Sequence, residues 1–170
     1  MTTTTIRRTL IALTLMLAAI ASVTTSASAA PAPRPPLLTI RGTGTWAPRP
    51  HGDVVVNGQA DVTWRSGVTG TVELAAVIGP DDRTMPAPGE CEPAVSTLTV
   101  SGWGRLDLTL IGDGDVCGHH LQPPTSIITH VFTGRYEVLE TTRRRLAGTD
   151  GFFEIRLAAD GTASAFAIDT

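Results

Sequence analysis

The chain has 170 residues, a formal net charge of −3 and 13 basic residues, all of which are arginine. A mildly acidic chain without a basic stripe argues against a nucleic-acid partner and against binding to an anionic membrane surface. The exclusive use of arginine indicates a genome rich in G and C, and hence a bacterial source.

Residues 1–29 have the parts of a secretory signal peptide in the expected order. Arg7 and Arg8 precede an apolar run from Leu10 to Val23, and the small residues of Ala27-Ser28-Ala29 follow. We therefore expect cleavage after Ala29 and an extracellular location, where disulfides persist. The apolar run is too short and too poorly flanked for a stable membrane span, which needs about 20 apolar residues.

Cleavage would leave about one domain's length of chain. Residues 30–36 read as an extended proline-rich spacer, and residues 37–170 as a single β domain. Between Val54 and Trp64, apolar and polar residues alternate with a period of two, which is typical of a strand. The alternation keeps its phase through Asn57-Gly58. This indicates one long strand with a glycine kink, or a three-residue turn with a bulge.

The same alternation recurs further along the chain, and no amphipathic helix is evident after the leader. The alternating segments are Val72–Ile78, Leu98–Leu110, Ile128–Val138, Phe153–Leu157 and Ser164–Ile168. We read Leu98–Leu110 as part of a long strand or a hairpin. About six to eight antiparallel strands predict an all-β barrel, with a β-sandwich as the alternative. Glycines in mid-strand mark bends and favour the barrel.

Two segments have the composition of loops, and each contains a cysteine. Residues 79–93 contain Cys91, and residues 112–124 contain Cys117. An even cysteine count in an exported chain predicts a disulfide between them, worth about 3–4 kcal/mol on the chain-entropy model. The alternative is a pair of free, buried thiols.

A family resemblance lies in the C-terminal third. Phe132-Thr133-Gly134-Arg135-Tyr136-Glu137-Val138 leads into Thr141-Thr142-Arg143-Arg144-Arg145-Leu146-Ala147-Gly148-Thr149-Asp150-Gly151. This resembles the strand–turn–strand pattern of secreted bacterial proteins with an allene-oxide-cyclase-like barrel, and it is similar to dirigent proteins. The resemblance covers residues 128–157 and implies a barrel that steers a reactive intermediate by its shape. It carries over no catalytic residue.

His130 lies in phase with the apolar residues Phe132 and Tyr136. If this face points into the barrel, His130 and Tyr136 are candidates to line a cavity. The histidine would then be either a buried neutral group with a hydrogen-bond partner or a ligand-contacting or acid–base group.

Three side chains are candidates for surface contacts. Trp103 opposes the phase of its neighbours, and an exposed aromatic residue often marks a contact site. His119 and His120 follow Cys117, and zinc or copper would accept such ligands. However, the spacing matches no zinc framework, so we predict a solvated loop and no metal. Arg143–Arg145 reads as a solvated turn or as a grip for an anionic partner.

The chain contains no nucleophile elbow, phosphate-binding loop or dinucleotide motif, so no cofactor is predicted. We expect a secreted, non-catalytic barrel that binds a small apolar ligand or a surface partner. The alternatives are a cyclase- or isomerase-like enzyme that acts in a barrel cavity, and a structural secreted or cell-surface protein. A barrel of eight strands is just wide enough to be filled by side chains or to hold one small ligand.

Overall fold

The computed structural model describes residues 36–123 and 127–169. The predicted signal peptide and nearly all of the predicted spacer lie outside these residues. The strands, in chain order, are β1 (Leu38–Pro48), β2 (Val54–Trp64), β3 (Thr69–Pro80), β4 (Cys91–Ser101), β5 (Asp107–Gly118), β6 (Ile128–Thr141), β7 (Asp150–Ala158) and β8 (Thr162–Asp169).

These eight strands form a closed antiparallel barrel. Each strand pairs with its neighbours in the sequence, and β8 returns to pair with β1. The predicted all-β barrel with one disulfide, between Cys91 and Cys117, is therefore confirmed, and the sandwich alternative is not what the chain forms. Closure pairs the backbone of both strands that would otherwise be edges.

The segment from Val54 to Trp64 is one continuous strand, as the unbroken phase indicated. Gly58 lies directly opposite Gly44 of β1. A Cβ on either glycine would overlap the backbone of the other strand, so only glycine permits this close approach. The same arrangement recurs between Gly114 of β5 and Gly134 of β6, four strands further around the barrel.

The segment from Leu98 to Leu110 is a hairpin. Its strands β4 and β5 are joined through a short 3-10 turn at Trp103–Arg105. Ser101 pairs with Asp107, an even number of positions later, so the inward phase continues unchanged across the turn. For this reason, the alternation of apolar and polar residues in this segment does not distinguish a single long strand from a hairpin.

The disulfide joins strands rather than loops, which corrects the sequence-based expectation. Residues 112–118 belong to β5, and Cys117 is the direct cross-strand partner of Cys91 at the start of β4. The expectation was wrong because glycine and aspartate, which are depleted in strands, dominate this part of β5.

In the alternating segment Ser164–Ile168 of β8, the phase that carries Phe166 and Ile168 faces outward. The small residues Ala163, Ala165 and Ala167 are buried, whereas Ser164 is exposed and Phe166 and Ile168 are half-buried on the outside. Phe166 is covered there by the guanidinium of Arg41, 5.3 Å from the ring centroid.

Large side chains fill the barrel interior. Phe132, Tyr136 and Phe153 form an aromatic cluster, with ring centroids 5.0 Å apart for Phe132–Phe153 and 6.1 Å apart for Tyr136–Phe153. Aliphatic residues from all eight strands surround the cluster, and most are less than 4% exposed. The interior therefore resembles a protein core.

The two ends of the barrel are closed differently. One end carries the β2–β3, β4–β5 and β6–β7 connections, and we call it the arginine end because Arg143, Arg144 and Arg145 lie in the last of them. The fully buried side chains of Leu106 and Leu146 fill this end. The disulfide end carries the other four connections. There Trp46 packs on the core and its indole N–H donates to the carbonyl of Ala158 at 2.7 Å.

Candidate functional site

His130 lies at the disulfide end of β6 and is half-buried. Its Nε2 lies 3.1 Å from the carbonyl oxygen of Pro86, and its buried Nδ1 has no hydrogen-bond partner among the described residues. Burial lowers the pKa of His130 below its usual 6.5; the contact with Pro86 opposes this shift and the charge of His119 adds to it. A neutral imidazole that donates from Nε2 to Pro86 fits this environment.

Tyr136 is buried on the inward face of β6, as its phase indicated. Burial raises the pKa of its phenol, and the carboxylates Asp169 and Asp150 raise it further. The hydroxyl therefore stays protonated at neutral pH. Its ring packs against Phe153 and serves as part of the core.

The structure does not bring His130 and Tyr136 together. They are six residues apart along β6, which corresponds to about 20 Å in an extended strand. Phe132 lies between them and its ring contacts Phe153. Around Tyr136 the interior is therefore packed by aromatic rings, and His130 lies half-buried at the disulfide end.

A groove of about 830 Å³ lies on the outer surface at the disulfide end. We call it the disulfide groove. One cross-strand row crosses its floor from β4 to β7, in the order Cys91, Cys117, Val131 and Arg156. The next row brings Thr133 beside Glu154.

Loop residues form the rim of the disulfide groove. Both His119 and His120 line it, together with Gln122 and with Gly89 from the β3–β4 connection. The backbone N–H of His119 donates to the carbonyl of Thr129 at 2.7 Å, which fixes the start of this loop against β6. The predicted surface candidates His119 and His120 thus line the same groove as the disulfide.

An ion pair lies on the floor of the groove. Arg156 Nε and Glu154 Oε1 are 2.6 Å apart, with the Arg156 side chain half-exposed and the Glu154 side chain a quarter exposed. The floor therefore offers a cation, a carboxylate and the threonine hydroxyl, and the rim adds imidazole and amide groups. Such a surface suits a polar molecule that both donates and accepts hydrogen bonds.

Sequence reasoning did not identify Val131, Thr133, Glu154 or Arg156 as parts of one surface. The missing information was the strand register. Assigning the two cysteines to strands would have fixed the register between β4 and β5. It would have left the registers of β6 and β7 undetermined.

Trp103 is half-buried rather than exposed. Its indole lies over Gly70 of β3. A Cβ at position 70 would overlap the ring, so the indole can lie there only because residue 70 is glycine. It lies at the arginine end, far along the barrel from His119 and His120, so the three surface candidates do not share one site.

Within residues 36–123 and 127–169, no group of three or more histidine, cysteine or acidic side chains is arranged to hold a metal ion. Over the same residues, the structure has no helix with the length and apolar character required to cross a membrane.

Comparisons of the chain with protein-family models, with curated proteins and with solved structures found no match.

Proposed function

We propose that this chain is a secreted, non-catalytic binding protein. The barrel serves as a rigid scaffold, and a surface partner binds in the disulfide groove. The location rests on the signal peptide predicted for residues 1–29, and the disulfide between Cys91 and Cys117 is compatible with an oxidising compartment.

The observation that carries this proposal is the filled interior. Phe132, Tyr136 and Phe153 occupy the centre of the barrel, where a lipocalin-type barrel of eight strands holds its ligand. The alternative of a small apolar ligand inside the barrel needs that space. The cyclase-like alternative needs the same space. The packed interior therefore supports neither the internal ligand nor the cyclase-like enzyme.

The disulfide groove is suited to binding because its floor is rigid. Four neighbouring strands contribute to it, and the disulfide ties the first two together. Binding to a surface that is already ordered costs less conformational entropy than binding to a mobile one. Since the floor and rim mix donors and acceptors, we assign the partner to the class of extended polypeptides.

Site-specific photo-crosslinking tests the proposal. A benzoylphenylalanine in place of Thr133 puts the reactive group on the groove floor. The same replacement at Thr97, a half-buried outward threonine of β4, is the matched control. Both proteins are exported by the producing cells and irradiated in culture.

We expect an adduct with a protein from the position of Thr133 and none from the position of Thr97. An excess of the purified unmodified protein should suppress the adduct by competition. No adduct at Thr133, or equal adducts at both positions, would reject the groove as the binding site and favour the structural alternative.

A further inference from the structure

A second groove, distinct from the disulfide groove, lies at the arginine end of the barrel. It has a volume of about 510 Å³ and we call it the Trp–Arg groove. Its lining residues are Trp64, Ser66, Val68, Trp103, Arg143, Arg144 and Arg145. Two indoles and three consecutive guanidinium groups, drawn from three separate connections, thus meet at one place.

The two loops that carry Trp103 and the arginines are locked to each other. Thr142 Oγ1 donates to the carbonyl of Arg105 at 2.9 Å and accepts from the backbone N–H of Asp107 at 3.0 Å. Arg143 Nη2 donates to the carbonyl of Gly104 at 2.8 Å. Leu106 and Leu146 are buried beneath the same loops. The β4–β5 and β6–β7 connections, which form two walls of the groove, are therefore held in a fixed relative position in the absence of a ligand.

The β4–β5 turn holds a backbone conformation that side chains disfavour. Gly104 has φ of 59°, and Arg105, which is not glycine, follows with φ of 57°. A left-handed non-glycine residue persists only where its surroundings enforce it. Here the bond from Thr142 to the Arg105 carbonyl is one such constraint. The turn orients Trp103 over Gly70 and toward the arginine loop.

The polar groups of the groove are nearly all donors. Arg144 and Arg145 are exposed, and neither forms an ion pair or a hydrogen bond with the described residues. The indole N–H groups of Trp64 and Trp103 likewise have no acceptor among residues 36–123 and 127–169, whereas that of Trp46 does. Guanidinium and indole groups cannot accept hydrogen bonds, so the complementary ligand is rich in acceptors and negatively charged.

We propose that the Trp–Arg groove binds an acidic peptide segment of a partner protein that also carries an apolar side chain. The carboxylates pair with Arg144 and Arg145, and the apolar side chain packs between Trp64 and Trp103 beside Val68, which is 49% exposed. Tryptophan and arginine are, with tyrosine, the residues enriched among those that dominate the binding energy of protein interfaces. The arginines line a groove rather than a flat face, which favours a peptide over a lipid surface.

Fluorescence polarisation with a defined probe tests this site. The probe is a fluorescein-labelled peptide, Gly-Glu-Phe-Glu-Leu-Glu-Gly, and the matched probe has glutamine at each glutamate. The protein variant is Arg144→Gln/Arg145→Gln. The control variant, Arg49→Gln/Arg83→Gln, removes the same charge from exposed positions at the disulfide end. Vesicles of phosphatidylserine form a separate arm.

We expect saturable binding of the acidic probe that is at least about tenfold tighter than binding of the glutamine probe, since charge-assisted pairs are the stronger ones. The Arg144/Arg145 variant should lose at least about tenfold in affinity, and the control variant should not. A Val68→Glu variant, which adds a carboxylate at the rim of an intact groove, should also lose binding. Equal binding of both probes, equal losses in both arginine variants, or binding to the vesicles alone would overturn the proposal.

Discussion

The ring of Phe153 on β7 occupies the space that a side chain at Gly112 on β5 would need. The two residues are not neighbours in the sheet, because β6 lies between their strands. Phe153 therefore reaches over Gly134, its partner in β6, to contact the glycine two strands away. This one ring fills space that three strands leave open.

Replacing Phe153 with alanine should open a cavity at this place. We expect the variant to lose about 3–5 kcal/mol of unfolding free energy, as is usual when a buried aromatic ring is removed. Urea unfolding followed by circular dichroism measures the loss. The cavity should also take up a small apolar molecule such as benzene, which the unmodified interior has no room to bind.

A second substitution distinguishes a packing effect from general damage. Gly112→Val alone should destabilise the protein because its side chain overlaps the Phe153 ring. Combined with Phe153→Ala, the valine should recover part of the lost stability and displace the benzene. Strictly additive losses in the double variant would show that the two sites do not share space.

Ser96 has a fully buried hydroxyl with no hydrogen-bond partner among the described residues. An unsatisfied buried polar group destabilises the folded state. Ser96→Ala should therefore leave the unfolding free energy unchanged or raise it by up to about 1 kcal/mol. Ser164→Ala, at an exposed position of β8, is the control and should change it little. A clear loss at Ser96 would reveal a partner for the hydroxyl.

His130 should make the stability of the protein depend on pH. Its pKa in the folded state is below 6.5, so the unfolded chain binds more protons in the interval between the two values. The unfolding free energy should therefore rise with pH through this interval. The contribution is complete above pH 6.5 and is lost as the pH falls through the folded-state pKa. Unfolding in urea at a series of pH values between about 5 and 8 measures this slope.

The variant His130→Gln should flatten that pH dependence while leaving an amide that can donate to the Pro86 carbonyl. His51→Gln removes an exposed imidazole at the same end of the barrel and should leave the slope in place. If both variants keep the slope of the unmodified protein, the titrating group is not His130.

Removing the disulfide should destabilise the barrel without preventing the strands from pairing. The bond closes a segment with a sequence separation of 26 residues, and the chain-entropy model gives a loss of about 3–4 kcal/mol for such a segment. Differential scanning calorimetry of Cys91→Ser/Cys117→Ser measures the loss. Intact mass of the purified protein after alkylation without reduction should show no modified thiol, because both cysteines are bonded.

The strand phases could be read from the sequence because each strand buries one face. The segment from Val54 to Trp64 shows this clearly. Its alternation continues in the same phase across Asn57-Gly58, a pair that usually indicates a turn, and the segment is one strand. β1 escaped prediction because two of its inward positions, Gly42 and Gly44, are glycine and weaken the apolar alternation. The cysteine pairing could also be predicted, although not its place on paired strands.

The surface sites could not be predicted because they depend on register. Arg143–Arg145 and Trp103 were each singled out from the sequence, yet nothing local indicates that Thr142 joins their loops. In the same way, Val131 and Arg156 become neighbours of the disulfide only once four strands are aligned. The alternation of apolar and polar residues indicates which face of a strand is buried, but it does not indicate which strands are neighbours or in which register they pair.

The carboxylate of Asp169 accepts hydrogen bonds from the backbone N–H groups of Leu37 and Leu38, at 2.8 and 2.9 Å. Both ends of the described chain are therefore held together at the arginine end. A fusion partner, an affinity tag or a solid support attached directly at residue 36 or 169 would lie at the same end of the barrel as the Trp–Arg groove and at the opposite end from the disulfide groove. Capture experiments with a tethered protein would thus sample one groove preferentially, and tests of the two proposed sites need differently attached baits.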